Sequence, residues 1–301
     1  MADLISSLPD EIICYILSFL PSQQVVTTTV LSKRWNLLWR FVPSLDFDTA
    51  IEDFWRLNRR KTFNKFYSSM YSFLVGREDQ PFYRIRLRHI CNSSIDFTES
   101  IKTHIQTAVS GSDRVQILDL KFDQDIVIPS VVFIFKTLVA LKLEKITLED
   151  ISFVDLPLLK ILHLKNIISP IKIDLPRLLS GCPNLEVLNV LEVWRETKGK
   201  FIRLPKLVRV SIDEPLLPLK IFKDVEVLKF DYVMHIFRPK NFDFHNLVQL
   251  QLKVALDWLL VLKVLNHCPR LQSLVIDISK DFDFPRGYED HVWLYPQTVS
   301  R

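Results

Sequence analysis

Cysteine, histidine and carboxylate side chains can bind metals, attack carbonyls or move protons, and their spacing decides which. The chain has four cysteines, Cys14, Cys91, Cys182 and Cys268, and no two lie close enough for a C-x-x-C metal knuckle or redox pair. Nor do they resemble a disulfide framework in a chain of 301 residues, so reduced thiols and a cytoplasmic or nuclear compartment are the reading. The seven histidines are scattered, and none is paired with another at i, i+4 spacing. There is no H-E-x-x-H and no G-x-S-x-G. The adjacent His267 and Cys268 make no metal site by adjacency alone. Asp277, Asp281, Asp283, Glu289 and Asp290 cluster in sequence and read as a solvated acidic edge. The five glycines are far apart, so neither G-x-G-x-x-G nor G-x-x-x-x-G-K-[ST] can be written, and phosphate-cradling loops of those kinds are excluded. Asn92-Ser93-Ser94 fits a glycosylation pattern only by chance without a secretory route. The residues point to no catalytic or metal site and to no cofactor.

A chain without evident chemistry must act through its surfaces. Net charge is +4, a mild excess that gives no reason to expect nucleic-acid binding. The composition, 48% hydrophobic and 25% charged, is that of a folded protein with a sizeable core. The stretch Leu8 to Pro21, LPDEIICYILSFLP, is the first candidate surface. The charges before its apolar run are negative, so it is no secretion signal. The run is too short for a membrane span, which needs about 20 residues. Ser7-Leu8-Pro9-Asp10 reads as a helix start, with Ser7 as cap and proline in the first turn. Leu8, Ile12, Ile16 and Leu20 then recur every four residues, with Ile13 and Leu17 beside them. A second helical stretch carries Val25, Val26 and Val30, and a third holds Leu31-Ser-Lys-Arg-Trp-Asn-Leu-Leu-Trp39. Three helices in about 40 residues cannot bury this much apolar surface among themselves. They pack on the rest of the chain, or a partner covers part of them.

The order L-P-D-E-I-I-C-Y-I-L-S-F-L-P, then L-S-K-R-W-N-L-L-W, resembles an F-box, the module by which substrate receptors dock on the Skp adaptor of SCF ubiquitin ligases. The resemblance covers Leu8 to Asp48. It implies an adaptor contact started by Leu8 and Pro9 and continued by Ile12, Ile16, Leu17 and Leu20. Leu31 and Trp35 would complete it or fix the helices behind it. Ser22 to Thr29 carries no charge where many family members have Lys-Asp and Arg, which would weaken adaptor affinity without removing the apolar contact.

Next comes a bridging stretch. Phe63, Phe66, Tyr67, Met70, Tyr71 and Leu74 follow i, i+3, i+4, i+7, i+8, i+11, an amphipathic helix that would cover the following domain. Arg59-Arg60-Lys61 reads as a solvated face. From about Tyr83 a short L-x-x-L-x-L pattern returns, with its middle apolar residue at 118, 141, 162, 188, 210, 228, 250 and 274. A period near 22 is the leucine-rich-repeat signature. Alternate residues of each strand would stack inward, and Lys142, His163, Asn189, Ser211, Lys229 and Gln251 would line the concave face. Asp96 to Ser110 and Leu256 to His267 read as helices. Cys182-Pro183 and Cys268-Pro269 hold the same place before a strand, which marks buried structural thiols. The position often holding Asn carries Ile146, Ile167, Val193, Ala255 and Ser279, so the turns must satisfy their backbone groups another way.

The fold expected is α/β: a three-helix F-box (1–48), a helical bridge (49–80), about eight irregular leucine-rich repeats in a curved parallel sheet (81–280) and a tail (281–301). The irregular repeats resemble plant F-box/leucine-rich-repeat proteins, many of which end in an FBD module, and the tail resembles the approach to that module, missing or truncated here. The resemblance implies a non-catalytic ligase subunit, partnered by a Skp-type adaptor and through it a cullin. An unknown protein substrate would meet Lys142, His163, Asn189, Lys229 and Gln251, with no membrane or nucleic acid involved. Two other readings stand beside it. One is a small-molecule co-receptor, as in the auxin and jasmonate receptors, needing converging bases such as Arg84, Arg86, Arg88 and Lys121. The other is a repeat protein whose F-box engages no ligase.

Overall fold

The computed structural model describes residues 5, 7–48, 59–77, 80–88, 114–122, 126–149, 151, 153–169, 173–193, 195–196, 200–213, 219–233, 244–254 and 265–278. The helix expected over Asp96 to Ser110, most of that over Leu256 to His267, Cys91 and the tail 281–301 lie outside the described residues.

The chain opens with α1 (Asp10–Leu17), α2 (Ser22–Thr27) and α3 (Trp35–Leu38), joined and followed by 3-10 turns at Thr28–Val30 and Trp39–Phe41. Helix α1 begins one residue after Pro9, which holds the cap position without a side-chain cap bond. Ser7, read as the cap, therefore sits two residues too early: proline's fixed φ starts the helix instead. Asp10 and Glu11 sit in the first turn, where the helix dipole favours negative charge. Ile13, Cys14, Leu17, Val25, Trp35, Leu38 and Val42 make a small core of their own, with Leu8, Leu20 and Trp39 packed against it.

Among the described residues, ten strands form one parallel sheet. In chain order its members are β1 (Ser44–Asp48), β2 (Arg84–Arg88), β3 (Ile117–Lys121), β5 (Ala140–Glu144), β7 (Ile161–Ile167), β9 (Val187–Val193), β11 (Arg209–Ile212), β12 (Val227–Val233), β13 (Gln249–Val254) and β14 (Ser273–Ile278). Each strand pairs with the next one named, as a solenoid of stacked repeats requires. The middle apolar residues of the eight repeats share one register row, Leu118, Leu141, Leu162, Leu188, Val210, Leu228, Leu250 and Leu274. Ile85 and Leu45 extend that row, so two strands precede those eight. Strand β1, inside the stretch read as purely helical (1–48), is the first strand of the sheet. Its S-L-D-F-D alternation is too brief to announce a strand without a neighbour to pair with.

Pairs of short strands flank the sheet: β4 (Val127–Ile128) with β6 (Thr147–Leu148), and β8 (Ile173–Asp174) with β10 (Arg195–Glu196). Between β8 and β9 lies α5 (Leu175–Ser180), capped by Asp174, whose carboxylate accepts from the Arg177 N–H at 3.0 Å. Just beyond it, Gly181 lies so close to Val154 that a Cβ there would overlap it.

The missing asparagine ladder is explained by the turns after three strands. Lys145, Asn166 and Glu192 each sit four residues past the middle apolar position and each has a positive φ of 52 to 54°. The left-handed residue redirects the chain, and the next residue (Ile146, Ile167 or Val193) enters the core. Backbone groups of adjacent repeats pair instead of Asn side chains. The Lys145 N–H donates to Lys165 O at 2.9 Å, and the Ile168 N–H to Ile146 O at 3.0 Å.

The bridging helix α4 (Arg59–Gly76) buries Met70 and Phe73 and half-buries Leu74, while Tyr71 is exposed. The inward face is thus turned from the expected stripe, because Phe73 is held between Trp39 (5.5 Å) and Phe47 of β1 (5.8 Å between ring centres). The side chains of Phe63, Phe66 and Tyr67 and of Arg59-Arg60-Lys61 are outside the described ones. At Gly76 a Cβ would run into the Trp39 ring, so this helix end requires glycine to approach the N-terminal module.

Candidate functional site

Helix α1 is apolar on two sides. Ile13, Cys14 and Leu17 face the module's core, whereas Ile12, Tyr15, Ile16 and Phe19 follow i, i+3, i+4, i+7 on the outside. Ile12 and Ile16 are 45% and 46% exposed, and the Tyr15 and Phe19 rings meet edge to face at 5.0 Å. Val26, Val30 and Leu31 are exposed as well.

Of the residues expected to meet an adaptor, Pro9, Ile12, Ile16 and Leu31 are open, and Leu8 and Leu20 are half-buried. Leu17 and Trp35 face inward. They are 2% and 8% exposed and serve the module's core, Trp35 thereby taking the alternative role of fixing the helices. Leu17 falls on the inward side because it is one turn from Ile13, not from Ile12. Tyr15, Phe19 and Val30 are exposed apolar residues outside that expectation. The second apolar series at 12, 15, 16 and 19, interleaved with 13, 17 and 20, is the signal that carries Tyr15 and Phe19.

Arg34 ties the two halves of the motif together. Its guanidinium reaches Asp10 Oδ1 through Nε at 2.8 Å and donates to Leu8 O through Nη2 at 2.5 Å. L-S-K-R-W thereby holds L-P-D, and both flank the apolar row.

The second surface is the open face of the sheet. Its middle row reads Asp46, Arg86, Asp119, Lys142, His163, Asn189, Ser211, Lys229 and Gln251 in register. The five expected substrate-face residues, Lys142, His163, Asn189, Lys229 and Gln251, all lie in this row and are half-exposed. The first four strands carry a ladder of ion pairs. Arg84 meets Asp46 at 2.7 Å, Arg86 meets Asp48 at 2.8 Å, Arg88 meets Asp119 at 2.7 Å and Lys121 meets Glu144 at 3.0 Å. The four bases that a phosphate-binding reading would need do converge, but each holds a carboxylate, and this disfavours a polyanion there. Further along, Asn189 Nδ2 lies 3.3 Å from His163 Nδ1. Burial pushes the His163 imidazole below the ordinary histidine value, with Lys142 and Lys165 adding to the effect and Glu144 and Asp119 opposing it.

Chemistry is sparse. Among the described residues no group of three or more His, Cys, Asp or Glu is placed to hold a metal, and no helix is long and apolar enough to cross a membrane. Asp277 is exposed on β14; the other members of the acidic cluster lie outside the described residues.

A helical head with an outward apolar row, joined to a parallel leucine-rich-repeat sheet, defines an F-box/repeat protein. The F-box domain family matches residues 5–46. The chain is 33% identical over 248 residues to the F-box/LRR-repeat protein At4g14096 of Arabidopsis thaliana, covering 77% of this chain and 52% of that protein. It is 33% identical over 250 residues to F-box/LRR-repeat protein 13 of the same plant, covering 76% and 53%. An FBD-associated F-box protein of that plant, At5g53635, is 37% identical over 198 residues, covering 62% and 42%. The chain belongs to the plant F-box/leucine-rich-repeat family. It spans about half the length of the curated relatives it matches.

Proposed function

We propose that this protein is the substrate-recognition subunit of an SCF-type ubiquitin ligase. The observation that carries the reading is the outward row Ile12, Tyr15, Ile16 and Phe19, which has no role in the module's own core and lies within the F-box match. F-box domains in general bind Skp-type adaptors, and an apolar row of this kind suits such a contact. In this reading residues 1–48 dock on the adaptor and through it a cullin, 49–80 bridge, and 81–280 hold a protein substrate on the open face. The tail 281–301 resembles the approach to an FBD module. The subunit performs no bond chemistry itself. It raises the effective concentration of a substrate lysine near charged ubiquitin. The reaction takes place in the cytoplasm or nucleus, where the buried thiols stay reduced.

The test is co-expression with a Skp-type adaptor and size-exclusion chromatography, comparing wild type with Ile12→Asp/Ile16→Asp. A one-to-one complex is expected from the wild type alone. The double variant should stay within about 0.5 kcal/mol of wild-type stability, since both side chains are surface-exposed. A folded wild-type chain that elutes apart from the adaptor would overturn the docking role.

A further inference from the structure

The bases on the open face are not all alike. Arg84, Arg86, Arg88, Lys121 and Lys165 each lie within ion-pair distance of a carboxylate. Lys142, in the middle row on β5, and Arg209, in the preceding row on β11, have no ion pair among the described residues. Glu144, the outward carboxylate next to Lys142 along β5, is already shared by Lys121 at 3.0 Å and Lys165 at 3.7 Å. Near Arg209, Glu186 is taken by Lys160 at 2.9 Å. Lys142 is half-exposed and Arg209 is exposed, so both are open to an incoming group.

Register fixes how the two bases stand. Strands β7 and β9 lie between β5 and β11, so three strand spacings, about 14 Å, separate them across the sheet. The row offset adds two residues along the strand, about 7 Å, and the diagonal between the two Cα positions is about 16 Å. That diagonal runs between Ile161 and His163 on β7 and between Val187 and Asn189 on β9, all four half-exposed. It has a cation at each end, aliphatic side chains on one flank and polar ones on the other.

These features select an occupant. An extended peptide covers about 3.3 Å per residue, so about five residues span the diagonal. Each end offers one base, which suits one carboxylate, whereas phosphate is taken by clusters of bases. Ile161 and Val187 offer apolar area to a side chain lying between the two charges.

We propose that the diagonal from Lys142 to Arg209 binds an extended acidic segment of the protein substrate. One Asp or Glu sits at each end, four to six residues apart, with an apolar side chain between them on Ile161 and Val187. This deepens the substrate-receptor reading above and rests on it. The apolar contact carries affinity, and the two charges set register and choice of partner.

The test pans a random twelve-residue peptide library on the full chain, both co-purified with its adaptor and alone. Enriched peptides should share two acidic residues at that spacing with an apolar residue between them. Changing either acid to its amide in a synthetic peptide should weaken binding roughly two- to fivefold by fluorescence anisotropy, and added salt should shrink the difference. Lys142→Glu and Arg209→Glu, each checked for a wild-type melting profile, should turn the selection at one end from acidic to basic and leave the other end acidic. A loss of fold would not do that. Enriched peptides without the acidic pair would overturn the proposal, as would a selection that neither charge reversal moves. So would no enrichment at all, because the open face then takes no short segment. Failed acidic selection by a chain that co-purifies with its adaptor strikes this proposal alone. Acidic selection by a chain that ignores the adaptor strikes the ligase reading alone.

Discussion

The Ser22 hydroxyl accepts a hydrogen bond from the Asp46 backbone N–H at 2.9 Å, joining α2 of the F-box to the first strand of the repeat sheet. Both residues are almost wholly buried, and the Asp46 carboxylate in turn holds Arg84 of β2. The F-box module and the repeat sheet are therefore one packed body at this junction, not beads on a linker.

Removing the Ser22 hydroxyl leaves the Asp46 N–H buried without its acceptor. An unsatisfied buried donor costs about 1–3 kcal/mol, so Ser22→Ala should lower the unfolding free energy by that amount, read as a lower urea midpoint at unchanged slope. Adaptor binding at saturating concentration should persist, because the outward row of α1 is untouched. An unchanged midpoint would mean that Asp46 N–H finds another partner.

Arg77 sits at the same junction and is almost fully buried. Its Nη1 donates to Val42 O, and its guanidinium carbon lies 4.2 Å from the centre of the Phe82 ring and 5.5 Å from that of Phe73. Burial lowers its pKa to about 10, against the nearby Cys14, which raises it. The folded value lies below the ordinary 12.5, so the desolvation cost is present at every pH below about 10 and is relieved only above it. The side chain stabilises mainly by filling space between the head and the sheet. Arg77→Met, of similar length, should stay within about 1–2 kcal/mol of wild type in urea titration. Arg77→Ala should lose roughly 2–5 kcal/mol by opening a cavity. Equal losses in both would show that the charge, not the volume, matters.

Cys182 and Cys268 are buried thiols at matching places before β9 and β14, and Cys182 donates to Leu178 O at 3.4 Å. Burial pushes Cys182 up to about 12 and Cys268 up to about 11; Cys14 is raised too, by burial first and then by Asp10 and Glu11. At pH 8 the thiolate fraction of Cys182 is on the order of one in ten thousand. Iodoacetamide labelling at that pH, followed by mass spectrometry, should be at least about a hundredfold slower at these three cysteines in native protein than in urea. The pH dependence has a definite sign. Above about 9 the unfolded thiols release protons while the folded ones keep them, so their contribution to stability falls as pH rises. Fast native labelling of Cys182 would contradict its burial.

The repeat phase was readable because it is local. The residues at 118, 141, 162, 188, 210, 228, 250 and 274 each mark the middle of a short apolar alternation, and stacking needs no more information than that period. The helix at the N-terminus was readable for the same reason, from residues within two turns of one another. The start of that helix was misplaced by two residues, because a capping serine and a fixed-φ proline are competing local signals. The inward face of α4 takes in Phe73, outside the expected stripe, because Trp39 and Phe47, which select it, lie far from it in the chain.

The sequence by itself determined that apolar residues at helical spacing open the chain and that a repeat near 22 residues follows. Each is a property of neighbours along the chain. Tertiary structure decided which side of α1 faces inward, leaving Ile12 and Ile16 out and drawing Leu17 in. It also decided that Ser44–Asp48 opens the sheet, and that His163 and Asn189 meet. Arg84, Arg86 and Arg88 are bound by carboxylates 31 to 40 residues away, and only that pairing disfavours a polyanion there. Contacts at such separations follow from how strands stack, and a one-dimensional period carries their phase but not the partners they bring together.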